Sequence, residues 1–213
     1  MVILDFLFPP KCKICNKRIK RGVLCPFCVE KLNLSVEESK RKIVDTEESL
    51  DASFVFPYDN SVVKDLLFAL KRKGNYELFK FAAELYLKAM GDISKYTKYA
   101  VVNVPRSRAN VKKYGYDHVK LPCKIMCKNN KNLIYCPVLK RKGKSMEQKN
   151  LTARQRKNNV KGNFVAIKKD IPKNILLVDD VVTTASTAFE CVNELKQVYP
   201  DSQITGIFLA HTS

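Results

Sequence analysis

With 213 residues, 46% of them hydrophobic, the chain is long enough for one domain with its own core plus a small appendage. No stretch approaches the roughly 18 to 20 apolar residues that span a bilayer, which excludes a transmembrane helix as the expected architecture. The formal charge of +18 is regional: the span from Arg106 to Lys173 holds 20 of the 39 basic residues and only three acids, Asp117, Glu147 and Asp170. A field so one-sided attracts polyanions, whether nucleic acid, anionic lipid or a polyphosphorylated small molecule; lysines that merely solvate a surface are the plain alternative.

The first residues, MVILDFLFPP, are apolar but lack a basic leader and a small-residue cleavage site, and they include Asp5. They do not read as a signal peptide, and a cytoplasmic location is expected. Cys12, Cys15, Cys25 and Cys28 follow as two C-x-x-C pairs. A pair at this spacing grips one side of a tetrahedral ion from a tight turn, and two pairs complete the coordination. Lys11, Lys13, Lys17, Arg18, Lys20 and Arg21 surround them and offset a tetrathiolate charge. Disulfides are the alternative, but they belong to oxidising compartments, so the expectation is a structural zinc in a module covering residues 1–32, folded by its metal. Cys123, Cys127, Cys136 and Cys191 lack such pairing and read as core or surface thiols.

Residues 33–58 are charged over most of their length and read as a connector or irregular surface, with the main domain covering 59–213. Val62, Val63, Leu66, Leu67 and Leu70 then repeat at helical spacing, as do Leu78, Phe81, Ala82, Leu85 and Met90 beyond a break at Lys73-Gly74-Asn75. Short apolar runs at Tyr99 to Val104, Tyr135 to Leu139, Phe164 to Ile167, Asn174 to Val178 and Ile204 to Ala210 predict strands. A helix-like stretch to about Lys128 and a second helical repeat through Ala188, Phe189, Val192, Leu195 and Val198 lie between them. Strands alternating with helices imply crossovers, and hence an α/β fold whose parallel sheet is covered on both faces.

The densest chemistry is the run Ile175 to Thr187, ILLVDDVVTTAST. A buried strand ending at the carboxyl edge of an open sheet delivers its next residues to the place where such sheets bind ligands. Asp179 and Asp180 would emerge there, able to accept hydrogen bonds from two neighbouring hydroxyls or to hold a magnesium through water. Thr183, Thr184, Ser186 and Thr187 stand at the start of the next helix, whose free N–H groups favour an anion. A diol acceptor beside a phosphate cradle describes a ribose 5-phosphate. A buried strand followed by an Asp-rich turn and a Thr-rich cap needs no ligand at all, and is the reading to beat.

This run resembles the phosphoribosyl-diphosphate (PRPP) signature of type I phosphoribosyltransferases, which has apolar residues, two acids, two variable positions and then Thr-Thr-Gly-x-Thr. The resemblance implies that Asp179 and Asp180, also the candidate catalytic residues, hold the ribose hydroxyls. Thr183, Thr184, Ala185, Ser186 and Thr187 would cradle the 5-phosphate, with Mg2+ accompanying PRPP. Ala185 stands where the pattern has Gly, adding a methyl where backbone lies against phosphate. Nearly the whole chain resembles the ComF family of competence-associated proteins. The shared elements are the double C-x-x-C, Leu70-Lys71-Arg72-Lys73-Gly74, Val101 to Arg108, Tyr114-Gly115-Tyr116-Asp117-His118, and Gln148, Leu151, Thr152, Arg156 and Asn159. Asp117 replaces a usual Asn, and Ala153 a basic residue.

The family resemblance implies a type I phosphoribosyltransferase-like domain behind the zinc module. Arg106 and Arg108 would lie in the pyrophosphate loop, and residues 140–160 would take the place of a loop that closes over substrate. It also implies a role in natural transformation: handling incoming single-stranded DNA, alongside a competence helicase or other DNA-uptake proteins. Lys140, Arg141, Lys142, Lys144, Arg154 and Arg156 are the candidate DNA contacts, with Tyr114, Tyr116 and Tyr135 offering rings for bases. The alternative is an ordinary transferase joining ribose 5-phosphate to a nucleobase or amine. His118 and His211 read as surface or capping residues with no catalytic part.

Overall fold

The computed structural model describes residues 10–33, 39–45, 48–91, 97–142 and 162–212. The chain begins with a tight turn through Cys12 to Cys15, closed by the Asn16 N–H on the Cys12 carbonyl at 2.9 Å and by a bridge between Lys11 and Arg18. The first helix, α1 (Pro26–Asn33), opens on a proline whose missing N–H is spared at a first helical position. Two strands follow, β1 (Ser39–Asp45) and β2 (Glu48–Pro57), then helices α2 (Ser61–Arg72) and α3 (Tyr76–Met90). Asn60 and Asn75 start these helices, their side-chain oxygens accepting from the N–H groups of Val62 and Leu78 at 2.9 Å. The rest of the order is β3 (Tyr99–Asn103), α4 (Arg108–Tyr114), α5 (Lys120–Lys128), β4 (Leu133–Tyr135), β5 (Leu139–Arg141), β6 (Phe164–Ala166), β7 (Asn174–Val182), α6 (Ser186–Val198) and β8 (Gln203–His211).

Six strands form one sheet in the order β1-β2-β8-β7-β3-β4, and every pairing except β1 with β2 is parallel. Successive side chains of a strand point to opposite faces, and two core clusters result. Val101, Leu176, Val178, Ile207 and Leu209 meet α2, α3 and α5 on one side, while Ala100, Val102, Ile175, Leu177 and Phe208 meet α6 and the β5–β6 hairpin on the other. The expected α/β class, with a mostly parallel sheet flanked by helices and a four-cysteine cluster at its N-terminal end, is what the structure has. Among the described residues no helix is long and apolar enough to cross a membrane.

Three local expectations change. The segment read as a connector supplies a β-hairpin, and β2 runs beside β8 inside the main sheet with Phe54 opposite Phe208. Its partner β1 is an edge strand, for which charges such as Lys40, Arg41 and Lys42 are usual because they discourage pairing with another chain. Tyr135 to Leu139 is not one strand: Pro137 cannot donate to a ladder, and β4 ends before it while β5 begins after it in another sheet. Finally β7 continues beyond Val178 to Val182, so the two aspartates lie within the strand rather than past its end.

Candidate functional site

The four cysteines sit where the sequence places them. Cys12 and Cys15 flank the first turn; Cys25 precedes α1 and Cys28 lies in its first turn. Their sulfur atoms all lie within 4.8 Å of one another, and a tetrahedral zinc with Zn–S bonds of about 2.3 Å sets its sulfurs about 3.8 Å apart. Cys12, Cys25 and Cys28 are buried, and burial with the crowding of neighbouring thiols pushes the Cys28 thiol up. A divalent cation at the centre relieves that crowding by holding all four as thiolates, so the donor set fits a structural zinc. Cys12, Leu24, Cys25, Cys28 and Leu32 also belong to the same core cluster as Val62, Val63 and Leu66 of α2, which makes the module continuous with the main core. The remaining cysteines are core thiols: Cys123, Cys136 and Cys191 are buried, Cys127 is half-buried, and burial raises all four.

The second cluster is built around Asp180. Its Oδ2 receives Lys71 Nζ at 2.9 Å, Arg106 Nη2 at 2.8 Å and His118 Nε2 at 2.9 Å, while Oδ1 accepts the Val181 N–H at 2.9 Å. Arg106 Nη2 also lies 2.6 Å from His118 Nε2. With its proton on Nε2 the imidazole donates to Asp180; with it on Nδ1 the ring accepts from Arg106, and in both cases its orientation is held. The partners come from the end of α2, the loop after β3 and the turn before α5. Asp117 shapes that turn, its Oδ1 accepting the N–H groups of Val119 and Lys120 at 3.0 Å.

Asp179 and Asp180 have opposite environments. Burial alone would raise Asp180, but the His118 hydrogen bond and the charges of Arg106 and Lys71 hold its carboxyl well below the usual range. Asp179 has no such set: burial, then the neighbouring Asp180 charge, push it up to about 8. Its Oδ1 accepts the Asp180 N–H at 2.9 Å, and its carbonyl accepts the buried Tyr86 hydroxyl at 3.1 Å. Burial lowers the His118 imidazole against the pull of Asp180 and so favours the neutral ring.

Both aspartates line a cavity of about 270 Å³ at the carboxyl edge of the sheet. Thr183, Thr184, Ala185 and Thr187 line it with Pro105 and Arg106, and Tyr58, Lys71 and Arg141 reach it from elsewhere in the chain. Ala185 has φ 55°, the left-handed conformation that glycine adopts freely and alanine does not. It caps α6 without a side-chain hydrogen bond, and the Ser186 hydroxyl turns back to Thr184 Oγ1 at 3.2 Å and to its carbonyl at 3.3 Å.

Of the residues singled out in the sequence, Asp179, Asp180, Thr183, Thr184, Ala185, Thr187 and Arg106 come together at this cavity. Ser186 stands beside it as the first residue of α6, and Arg108 is exposed at the start of α4, away from the cavity lining. Lys140, Arg141 and Lys142 are all exposed, and Arg141, grouped with the other two as a DNA contact, also lines the cavity, its guanidinium 5.3 Å from the Phe164 ring centroid. Lys144, Arg154 and Arg156, with Gln148, Leu151, Thr152 and Asn159, lie outside the described residues. Both histidines are buried, contrary to the sequence reading. His118 joins Asp180, and His211 packs against Phe54 with ring centroids 4.8 Å apart. Sequence reasoning named Lys71 only as part of a shared segment, gave it no site role and passed over Tyr58, since nothing in a helix end or a strand end says which distant carboxylate or cavity it will face.

No protein-family model matches the chain, and no curated protein matches it by sequence. Among solved structures it is similar to the adenine phosphoribosyltransferase of Saccharomyces cerevisiae, complexed with D-2,5-dideoxy-2,5-imino-altritol 1,6-bisphosphate and adenine. The likeness covers 88% of this chain and 89% of that one, at 14% identity and a TM-score of 0.38.

Proposed function

We propose that the chain binds PRPP with magnesium in the cavity at the end of β7. The observation that carries this reading is the convergence of the two adjacent carboxylates, the hydroxyl-rich turn into α6 and Arg106 on one cavity. A phosphate on the Thr183 to Thr187 turn would meet threonine hydroxyls and the free N–H groups of α6. The ribose hydroxyls would then turn toward Asp179 and Asp180, and Arg106, with Lys71, would offset the diphosphate charge. Magnesium supplies the counter-charge of the diphosphate, held through water by carboxylates of this kind. Because one oxygen of Asp180 already has Lys71, Arg106 and His118 against it, ligand entry exchanges these contacts rather than filling an idle acceptor. In this reading residues 59–213 form a phosphoribosyltransferase-like domain whose sheet is extended by β2, and the reaction class is transfer of ribose 5-phosphate to a nitrogen acceptor.

Calorimetric titration of the purified chain with PRPP and magnesium tests it. Binding is expected, tighter in Ala185→Gly than in the parent, and the reading fails if neither protein binds PRPP at millimolar concentration.

A second reading, the DNA-handling role implied by the ComF resemblance, is supported by the outer surface of the basic segment. Helix α4 buries none of its residues, and Lys113 Nζ and Lys124 Nζ lie 5.4 and 5.7 Å from the ring centroids of Tyr114 and Tyr135. Cations beside aromatic faces are what single strands use. Single-strand binding should weaken with salt at about 0.7 per neutralised phosphate on a log–log plot. Charge reversal at Lys140 and Lys142 should weaken it more than reversal at Lys64 and Lys88, and equal losses from both sets would reduce it to general attraction by a basic protein. Arg141 is left out of that set because it also lines the cavity.

A further inference from the structure

Lys71 and Arg106 line two cavities, not one. Beyond the Asp180 cluster they bound a second space of about 240 Å³, whose other walls are Arg72, Asn110, Tyr114, Tyr116 and His118. Three basic side chains, Lys71, Arg72 and Arg106, face it, and no carboxylate is among its lining residues. Part of its wall is held in place by packing. The Tyr116 hydroxyl accepts the Gly74 N–H at 2.7 Å, and its ring meets Phe79 edge-on at 5.1 Å. A side chain at Gly74 would run into both rings, so the close approach that sets the tyrosine requires glycine. The Arg72 guanidinium is stacked 4.7 Å from the Phe68 ring centroid. Arg106 Nε is buried and has no hydrogen-bond partner among the described residues.

These features select a ligand class. Asp180 is paired with Lys71 and Arg106, so one carboxylate stands against three cations, and the excess positive charge calls for an anion. Two phenol rings and a carboxamide suit a planar ring with polar edges. A diphosphate would use the cations but leave the aromatic walls idle. We propose that this second cavity binds a planar aromatic ring bearing a carboxylate, an aromatic amine or a nitrogen heterocycle, and that this ligand is the acceptor for the ribose 5-phosphate held next door. The role as acceptor rests on the PRPP reading; the binding does not. In the transfer, the acceptor nitrogen's lone pair forms the bond to ribose C1 as the C1–O bond to diphosphate breaks. Diphosphate leaves with the electron pair, and the nitrogen releases its proton to solvent. Lys71 and Arg106, shared by the two cavities, hold the two reactants against each other.

The test is calorimetry of the full chain with orotate and with anthranilate, each with and without PRPP and magnesium, beside adenine and inorganic pyrophosphate. At least one carboxylated ring should bind. Arg72→Ala and Tyr114→Ala, at residues lining only the second cavity, should weaken that binding about tenfold while leaving PRPP affinity within about twofold. Tyr114→Phe, which keeps the ring, should retain it. Absence of binding by both carboxylated rings, with PRPP bound normally, overturns the proposal and leaves the PRPP reading in place. Adenine binding as tightly as the carboxylated rings overturns it too, as does competitive displacement by pyrophosphate coupled with indifference to Tyr114→Ala. Binding of a carboxylated ring by a chain that takes no PRPP keeps the cavity assignment and overturns the phosphoribosyl reading instead.

Discussion

The four-cysteine module and the Asp180 cluster both hold negative groups at close quarters, and they are assembled in contrary ways. The cysteines are neighbours in the chain, positioned by one tight turn and one helix start, and are placed so that an ion from outside could match their charge. The Asp180 cluster draws Lys71, Arg106 and His118 from three other segments and neutralises its carboxylate from within. The first is a local structure whose donor set suits a metal. The second is a product of the whole sheet, and it cannot form until β7, β3 and α2 are packed.

Loss of the metal should produce the largest effect, because the module has little core of its own and shares what it has with α2. Stripping zinc with a strong chelator, or Cys28→Ser, should lower the melting temperature by about 10 °C or more. Metal analysis should give one zinc per chain before treatment. A chain that keeps its melting temperature with the metal gone would show that the module's packing, not its ion, holds it.

Next in size is Asp180→Ala. It leaves Arg106, 22% exposed, and Lys71, 39% exposed, facing each other without an anion, and should cost about 3 kcal/mol in denaturant unfolding. Lys71→Met, which removes a partly solvated partner and leaves Arg106 and His118 in place, should cost under about 1 kcal/mol. If the two variants were equal, the cluster would be a surface ion pair and the contrast with the zinc module would collapse. Because Asp180 ties three segments together, alanine there tests the fold as much as ligand binding, and Asp179 is the cleaner probe of the cavity.

Ala185→Gly should be smaller and of opposite sign. It relieves a left-handed alanine at φ 55° and should stabilise by about 1 kcal/mol, with tighter PRPP binding. A loss of stability would mean that the methyl's packing outweighs its strain.

The smallest effect is a pH dependence of Asp179. Its carboxyl, raised to about 8 by burial and by Asp180, keeps its proton in the folded chain over a range where the unfolded chain has lost it. The folded state therefore loses stability as pH rises from the ordinary carboxyl range to about 8. Asp179→Asn should stabilise the protein most at pH 8 to 9 and least near pH 5, as thermal melts across pH would show. PRPP affinity should rise over the upper part of the same window as the carboxylate forms, and should be flat with pH in the variant.

What could be read from the chain divides along the same line. Cysteine spacing, the helical repeats of α2 and α3, and the apolar runs of β3, β7 and β8 are local patterns, and each forms the element its spacing implies. In the hairpin of residues 39–57, β1 was hidden because an edge strand buries little and carries charge, so its periodicity is weak, while the buried β2 was hidden because Asp51 and Ser53 interrupt its apolar run. His118 was hidden for another reason. Polar residues are mostly exposed, and only a buried carboxylate brought up from β7 makes the interior a favourable place for this one.

By itself, the sequence determined the α/β alternation, the four-cysteine set and the run of acids and hydroxyls that ends β7, because each depends on residues a few positions apart. Tertiary structure alone decided that Asp180 is saturated while Asp179 is not, that Arg141 lines the cavity, and that Lys71 and Arg106 stand between two cavities. Those outcomes depend on which charges meet at a given depth of burial. Charge interactions across a low-dielectric interior are set by distances between segments far apart in the chain, and no local spacing carries that information.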